Sequence, residues 1–508
     1  MRTDTGAPRH RGTAMRALAF SVPLCLGAPV SGFAQCPDGA PPPCRGARTT
    51  AAAIAPNSVA VLYFDNLSRD TANAYLADGL TEELIVRLGN VRRIEVKSRF
   101  ESQRVRGAAS GRDPRGLGRS MRAAYLVTGS LQQAGQRVRL SVSLVRTSSG
   151  AQVWGNVYDR SGADILQIQS DIATEVAGAI TGQLLPAEQA TLARRPTNDP
   201  VAYDFYLRGI NAVSGFSETG LRAGLELLDR AIAHDSAFAE AYAQQALIWS
   251  FIADGYVEGR VGYTKVREAA SRALRLDSAL AVAWSMLSWS ALALDYDGPE
   301  AVRLARKALN TDPRNPLAST ALGTALVQSG QVSEALVEMR RGWMADTLSA
   351  GSATAYLWLL QYTQQADSLA AVLPRMRLTL APEDLREFDG VVRLMRGDAA
   401  AAAERLTWQW FGGWFAGDRG RALIALGRRN EGHAMLDSML TEAGRGYFNA
   451  YAVAKAYAAM GDADRAFAWL DRAHAQRTFW IIGLPFDDAF IALRADPRFA
   501  VLLRRIGR

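Results

Sequence analysis

Four aspartates mark out a repeat. Asp235, Asp277, Asp312 and Asp346 lie 42, 35 and 34 residues apart, and Ala231-Ile232, Ala273-Leu274 and Ala308-Leu309 run into the first three. Self-similarity at a period of about 34 residues constrains a chain strongly, because one unit cannot bury its apolar face alone and must stack on its neighbours. Inside the period, Leu322, Gly323, Leu326, Gly330, Ala335 and Met339 provide a large side chain, a close-approach glycine, a turn and a packing alanine in the order that antiparallel helix pairs need. Trp284, Leu287, Ala301, Ala305 and Ala308 repeat most of it with one inserted residue, and Tyr451, Ala454, Tyr457, Gly461, Ala466, Leu470 and Ala473 form the last clear unit. Weaker units fall around Leu394 to Leu406 and Leu426 to Leu436. About seven or eight helix pairs are expected from 201 to 480. The segment 481–508 then serves as a cap, with a short helix after Asp496-Pro497.

Upstream the periodicity changes. Ser58 to Phe64 is an apolar strand run ending at the turn signal Asp65-Asn66, and Tyr75, Leu76, Leu80, Leu84, Ile85 and Leu88 have helical spacing. A strand at 94–98 and a short helix near 113–121 follow. Val138, Leu140, Val142 and Leu144 alternate with polar residues, so 124–132 and 138–146 form a hairpin across Ala134-Gly135-Gln136. A strand at 152–158 and a helix at 164–184 complete a βαβαβββα order. This predicts an α/β unit with a mixed sheet over 57–185, helices covering one face, joined to an all-α solenoid.

Several segments of the first unit carry a resemblance. Ala77-Asp78-Gly79-Leu80-Thr81-Glu82-Glu83-Leu84, Tyr125 to Ser130, Arg137 to Leu140 and Trp154 to Arg160 together resemble the TolB-amino-terminal-like (FlgO-like) domain. The array over 201–480 resembles tetratricopeptide repeats, whose period is about 34. In that family the two are joined, often behind a membrane kinase, an adenylate cyclase or a winged-helix regulator. Nothing of that kind precedes the unit here, so the resemblance implies a signalling output supplied by another chain.

The first 56 residues read as an address and a linker. Arg2, Arg9, Arg11 and Arg16 precede the mostly apolar stretch 17–30 and the small residues Ser31-Gly32-Phe33-Ala34, which is the layout of a signal peptide over 1–34 cleaved after Ala34. Met15 is a second candidate start. Export, with a periplasmic location, follows. Cys36 and Cys44 bracket a Pro-rich loop within 35–56 and form a candidate disulfide in an oxidising compartment. Lipid anchoring through Cys36 ranks behind this, since Phe33-Ala34-Gln35 suits lipoprotein processing poorly. No run of about 18 apolar residues spans a membrane.

The motifs of chemistry are missing. The four histidines make no H-E-x-x-H pattern, no phosphate-binding loop ending in Lys occurs, and no G-x-S-x-G elbow is found. Gly116-Leu-Gly118 is an incomplete dinucleotide fingerprint. Asp78, Glu82 and Glu83 are the best carboxylate group and read first as a solvated face. The formal net charge is +8, and residues 87–122 alone hold 11 basic and three acidic side chains, 11 − 3 = 8. Nucleic acid is disfavoured as a partner, because Phe100 is the lone aromatic interleaved there.

These observations predict a non-enzymatic exported adaptor without cofactor or metal, binding a protein or peptide in the groove of the array and an envelope or membrane protein through the α/β unit. The register places Glu240, Phe251, Trp289, Thr324, Gln328, Tyr451 and Lys455 toward the groove. A ligand-sensing signalling component is the alternative.

Overall fold

Alternation along Ser58 to Leu62 sends Val59 and Val61 to one side of a sheet and Ala60 and Leu62 to the other, so this strand is covered on both faces, and Phe64, past the strand's end, joins the first side. The computed structural model describes residues 54–68, 74–106, 113–135, 137–213, 217–253, 255–347, 349–409 and 413–508. The signal peptide expected over 1–34 and the candidate disulfide Cys36/Cys44 lie outside them.

The first unit runs β1 (Ser58–Val61), β2 (Asp65–Asn66), α1 (Ala74–Gly89), β3 (Glu95–Val96), α2 (Arg99–Arg104), α3 (Pro114–Met121), β4 (Tyr125–Ala134), β5 (Arg137–Arg146), β6 (Ala151–Ser161) and α4 (Ile165–Thr181). The sheet order is β3-β1-β4-β5-β6, parallel from β3 to β4 and antiparallel from β4 to β6, with β2 pairing parallel to β4. The mixed sheet is therefore present, but its helices do not keep to one face. Leu80, Leu84, Ile168, Ile172 and Val176 of α1 and α4 pack on one side, while Val105 after α2 and Leu117 and Met121 of α3 pack on Ala60, Leu62 and Leu126 on the other. Asp65-Asn66, expected as a turn, opposes Ser130 and Leu131 instead.

A short helix, α5 (Pro186–Ala193), leads into the array. Among the described residues eight helix pairs follow. They are α6 (Pro200–Ala212) with α7 (Glu218–His234), α8 (Ala239–Ile252) with α9 (Gly259–Leu276), α10 (Ala281–Ser290) with α11 (Gly298–Thr311), and α12 (Pro316–Gln328) with α13 (Val332–Ala345). The second half holds α14 (Ala350–Tyr362) with α15 (Ala366–Val372), α16 (Pro382–Met395) with α17 (Ala399–Arg405), α18 (Ala416–Ala425) with α19 (Arg429–Arg445), and α20 (Ala450–Met460) with α21 (Ala463–Ala475). The close-approach glycine behaves as its position implies: a Cβ on Gly323 would stand 2.5 Å from Met339 Cγ of the paired helix. The one inserted residue between α10 and α11 is absorbed in a π-turn at Ala291–Asp295, closed by Tyr296 with φ 54°.

The C-terminal segment does more than cap. After α21 the chain makes single 3-10 turns at Phe479–Gly483 and Asp488–Leu493 and ends in α22 (Pro497–Arg505). Phe499, Leu502 and Ile506 share a core with Leu470 of α21 and with Tyr296, far back in the array.

Candidate functional site

The first helices of each pair stand on the inner side of a stacked array, and their side chains decide what that side can bind. Here much of that side is occupied by the chain itself. The Phe479 ring stacks on Tyr263 with centroids 5.6 Å apart and leans on Trp289 at 6.4 Å. Trp480 meets Trp414 edge-on at 4.0 Å, and Gly483 lies so flat on the Tyr362 ring that a Cβ would stand 2.2 Å from it. Gln328 Nε2 donates to the Ile506 carbonyl, and the Gln328 carbonyl accepts from Arg508 at 2.7 Å.

Of the seven groove candidates, Trp289, Gln328, Tyr451 and Lys455 meet the C-terminal segment, residues 476–508, which covers them. Thr324 is buried and donates to the Thr320 carbonyl of its own helix. Glu240 and Phe251, both on α8, keep partial exposure. Burial raises the Glu240 pKa against the pull of Arg194, whose guanidinium lies 3.5 Å away.

Lys455 sits in a buried cluster. Its Nζ is 3.3 Å from Asp487 and 3.5 Å from Asp418 and donates to the Trp414 carbonyl at 3.1 Å. The Tyr362 and Tyr451 hydroxyls donate to the same Asp487 oxygen at 3.2 and 3.1 Å, and Gln361 donates to Asp418 at 3.2 Å. Burial works against the Lys455 charge, but the two carboxylates outweigh it and raise its pKa. Such a cluster fixes geometry between α14, α18, α20 and the C-terminal turns. It has a cation, two acceptors and two phenols, and the two cavities they line are each only about 10 Å³.

The repeat aspartates have a use that spacing did not disclose. Thr197 donates to Asp235 at 2.5 Å, Arg194 pairs with Asp277, and Arg99 reaches Asp346 at 3.0 Å. Three of the four repeat turns therefore hold the α/β unit and its connecting segment. At the remaining turn Arg314, two residues after Asp312, bonds the Gly89 carbonyl at the end of α1. Tyr75 donates to Asp204 at 2.6 Å, and Leu80, Leu84 and Val176 share one apolar core with Tyr203, Leu207 and Phe238.

The charged features named earlier are engaged in the same way. Asp78 binds Arg106 at 2.7 Å, Glu82 accepts from Tyr63 at 3.2 Å, and Glu83 binds Arg87 at 2.7 Å, which itself donates to the Leu192 and Arg194 carbonyls. No group of three His, Cys, Asp or Glu among the described residues could hold a metal ion. Much of the basic stretch is spent on these pairs and on Arg93–Glu188. Gly116 and Gly118 lie inside α3, with Gly118 against Thr147, so they form no phosphate loop.

The molecule is thus a mixed α/β unit followed by a helix-pair repeat solenoid of tetratricopeptide type. No family model matches the sequence. A curated protein of Rhizobium meliloti (strain 1021) bearing the name "Putative adenylate cyclase 3" is 30% identical over 191 residues, 38% of this chain. The chain spans about a third of that relative's length, 32%. Among solved structures, PilW, a widely conserved type IV pilus biogenesis factor, is 17% identical, with TM-score 0.31 over 40% of this chain and 90% of that one. A tetratricopeptide repeat protein from Parabacteroides merdae ATCC 43184 is 11% identical, with TM-score 0.25 over 61% of this chain and 99% of that one. No helix among the described residues is long and apolar enough to cross a membrane.

Proposed function

We propose that this chain is a non-enzymatic, exported adaptor whose TolB-amino-terminal-like unit and helix-pair array present surfaces to partner proteins in the periplasm. The observation that carries the reading is the way the two units are joined: Thr197, Arg194 and Arg99 engage the turns of Asp235, Asp277 and Asp346, three of the four repeat turns. A rigid union of two interaction folds holds two partners at a fixed separation. Of the groove candidates Glu240 and Phe251 of α8 keep partial exposure, while the other five are buried or covered from within. The test is crosslinking of the tagged full-length chain in its source cells, with the mature N-terminus read by mass. A chain starting at Gln35 with envelope proteins attached supports the reading, and an intact N-terminus without protein partners overturns it.

A second reading, a ligand-sensing component acting in trans on a membrane cyclase or kinase, is favoured by the identity shared with the Rhizobium meliloti protein. Here a small ligand would raise the unfolding midpoint of the isolated chain.

A further inference from the structure

The sheet ends in a long free edge. β6 is 11 residues long and pairs with β5 on one side, while no strand among the described residues pairs with the other. The opposite end of the sheet is β3, only two residues. Folded proteins protect such edges with charge, proline or a covering element, because a row of unpaired N–H and C=O groups templates another strand. The middle of β6, Val153-Trp154-Gly155-Asn156-Val157-Tyr158, carries neither charge nor proline, and Val157 is 52% exposed. The Val157 N–H points away from β5 and is held by the Asn156 side chain at 2.8 Å, a local stand-in for a strand carbonyl.

We infer that β6 receives an extended segment of a partner protein, added as a further strand, with a Lys or Arg on its helix-facing side. The charge follows from Glu175 of α4, which lies over β6 and accepts from Trp154 Nε1 at 3.1 Å and Asn156 Nδ2 at 3.4 Å. Asp171, one turn earlier, is paired with Arg160 of β6 itself at 3.6 Å, so the preference rests on Glu175. A second copy is the poorer occupant, because two-fold self-pairing centred on the uncharged stretch sets Glu175 against Glu175. Backbone pairing supplies affinity and the alternate side chains supply selection. The inference rests on the reading that the α/β unit docks on a partner, and specifies which surface does so.

The test uses the full chain and a synthetic strand peptide of alternating Thr and Val with a central Lys, followed by hydrogen exchange. The amides of β6 facing outward should slow about tenfold when the peptide saturates. Val157→Pro removes one outward donor without touching the β5 ladder and should abolish the protection. Glu175→Lys should reverse the preference, favouring a peptide with central Glu. No protection at millimolar peptide, or protection indifferent to both variants, overturns the inference, as does a dimer whose β6 amides are protected before peptide is added. None of these outcomes would disturb partners crosslinked through the array, so the adaptor reading stands or falls separately.

Discussion

Lys455 and Asp487 form an ion pair of 3.3 Å in which each residue is only 2% exposed. The two come from α20 and from the turns that follow α21, so the pair ties the C-terminal segment to the inner side of the array. Removing one partner of a buried pair leaves the other charge uncompensated.

Lys455→Met should therefore destabilise the chain by about 3–5 kcal/mol. Chemical denaturation at neutral pH checks this, and an unchanged midpoint would contradict the cluster.

Gly323→Leu should cost about 1–3 kcal/mol, because the new side chain is driven into Met339 and cannot turn to solvent. Thermal unfolding of the variant beside Ala318→Gly, on the same helix, separates overpacking from a general effect of helix propensity.

Phe479→Ala removes the ring between Tyr263 and Trp289 and should cost about 3 kcal/mol, the low end for a buried Phe, since this one keeps some exposure. Hydrogen exchange should rise in 479–508 and also at the start of α9, where the Arg260 N–H donates to the Gln476 carbonyl.

Hydrogen bonds from Arg93 and from the Leu185 N–H hold the Glu188 carboxyl down at about 2. A lowered folded-state pKa contributes stability above the ordinary carboxylate range, and that stability is lost as pH falls toward 2. Arg93→Ala should thus lower stability more at pH 6 than near pH 2, where only its bond to the Gln183 carbonyl is still fully at stake, while the Glu188 carboxyl resonance titrates at higher pH than in the parent chain.

Glu240 gives the opposite sign. Its raised pKa means that ionising it works against the folded state, so Glu240→Gln should raise the unfolding midpoint at pH 7 and leave it unchanged at pH 3.

The array was legible because its signal is repeated: Gly323 with Ala335, or Gly461 with Ala466, speak for several neighbours at once. Strands β4 and β5 were legible from alternation. The helix α2 was not, since Arg99-Phe-Glu-Ser-Gln-Arg104 shows neither period. Lys455 reads as a groove cation in any helical register, and only its meeting with Asp487, from beyond the next helix, makes it a core residue. Phe479-Trp480-Ile481-Ile482 is apolar enough to announce burial but says nothing about which face receives it. The free edge of β6 was hidden for a related reason, because strand order is a property of the whole sheet.

Stacked repeats ordinarily touch only their neighbours, and such arrays can fray or melt unit by unit. In this chain Gln328 and Ile506 bond across 178 residues, and that return converts an open row into a closed loop. Cooperativity is the result: the second half of the array should melt in a single step, and a stop codon that removes only the last turns would loosen helices synthesised long before them.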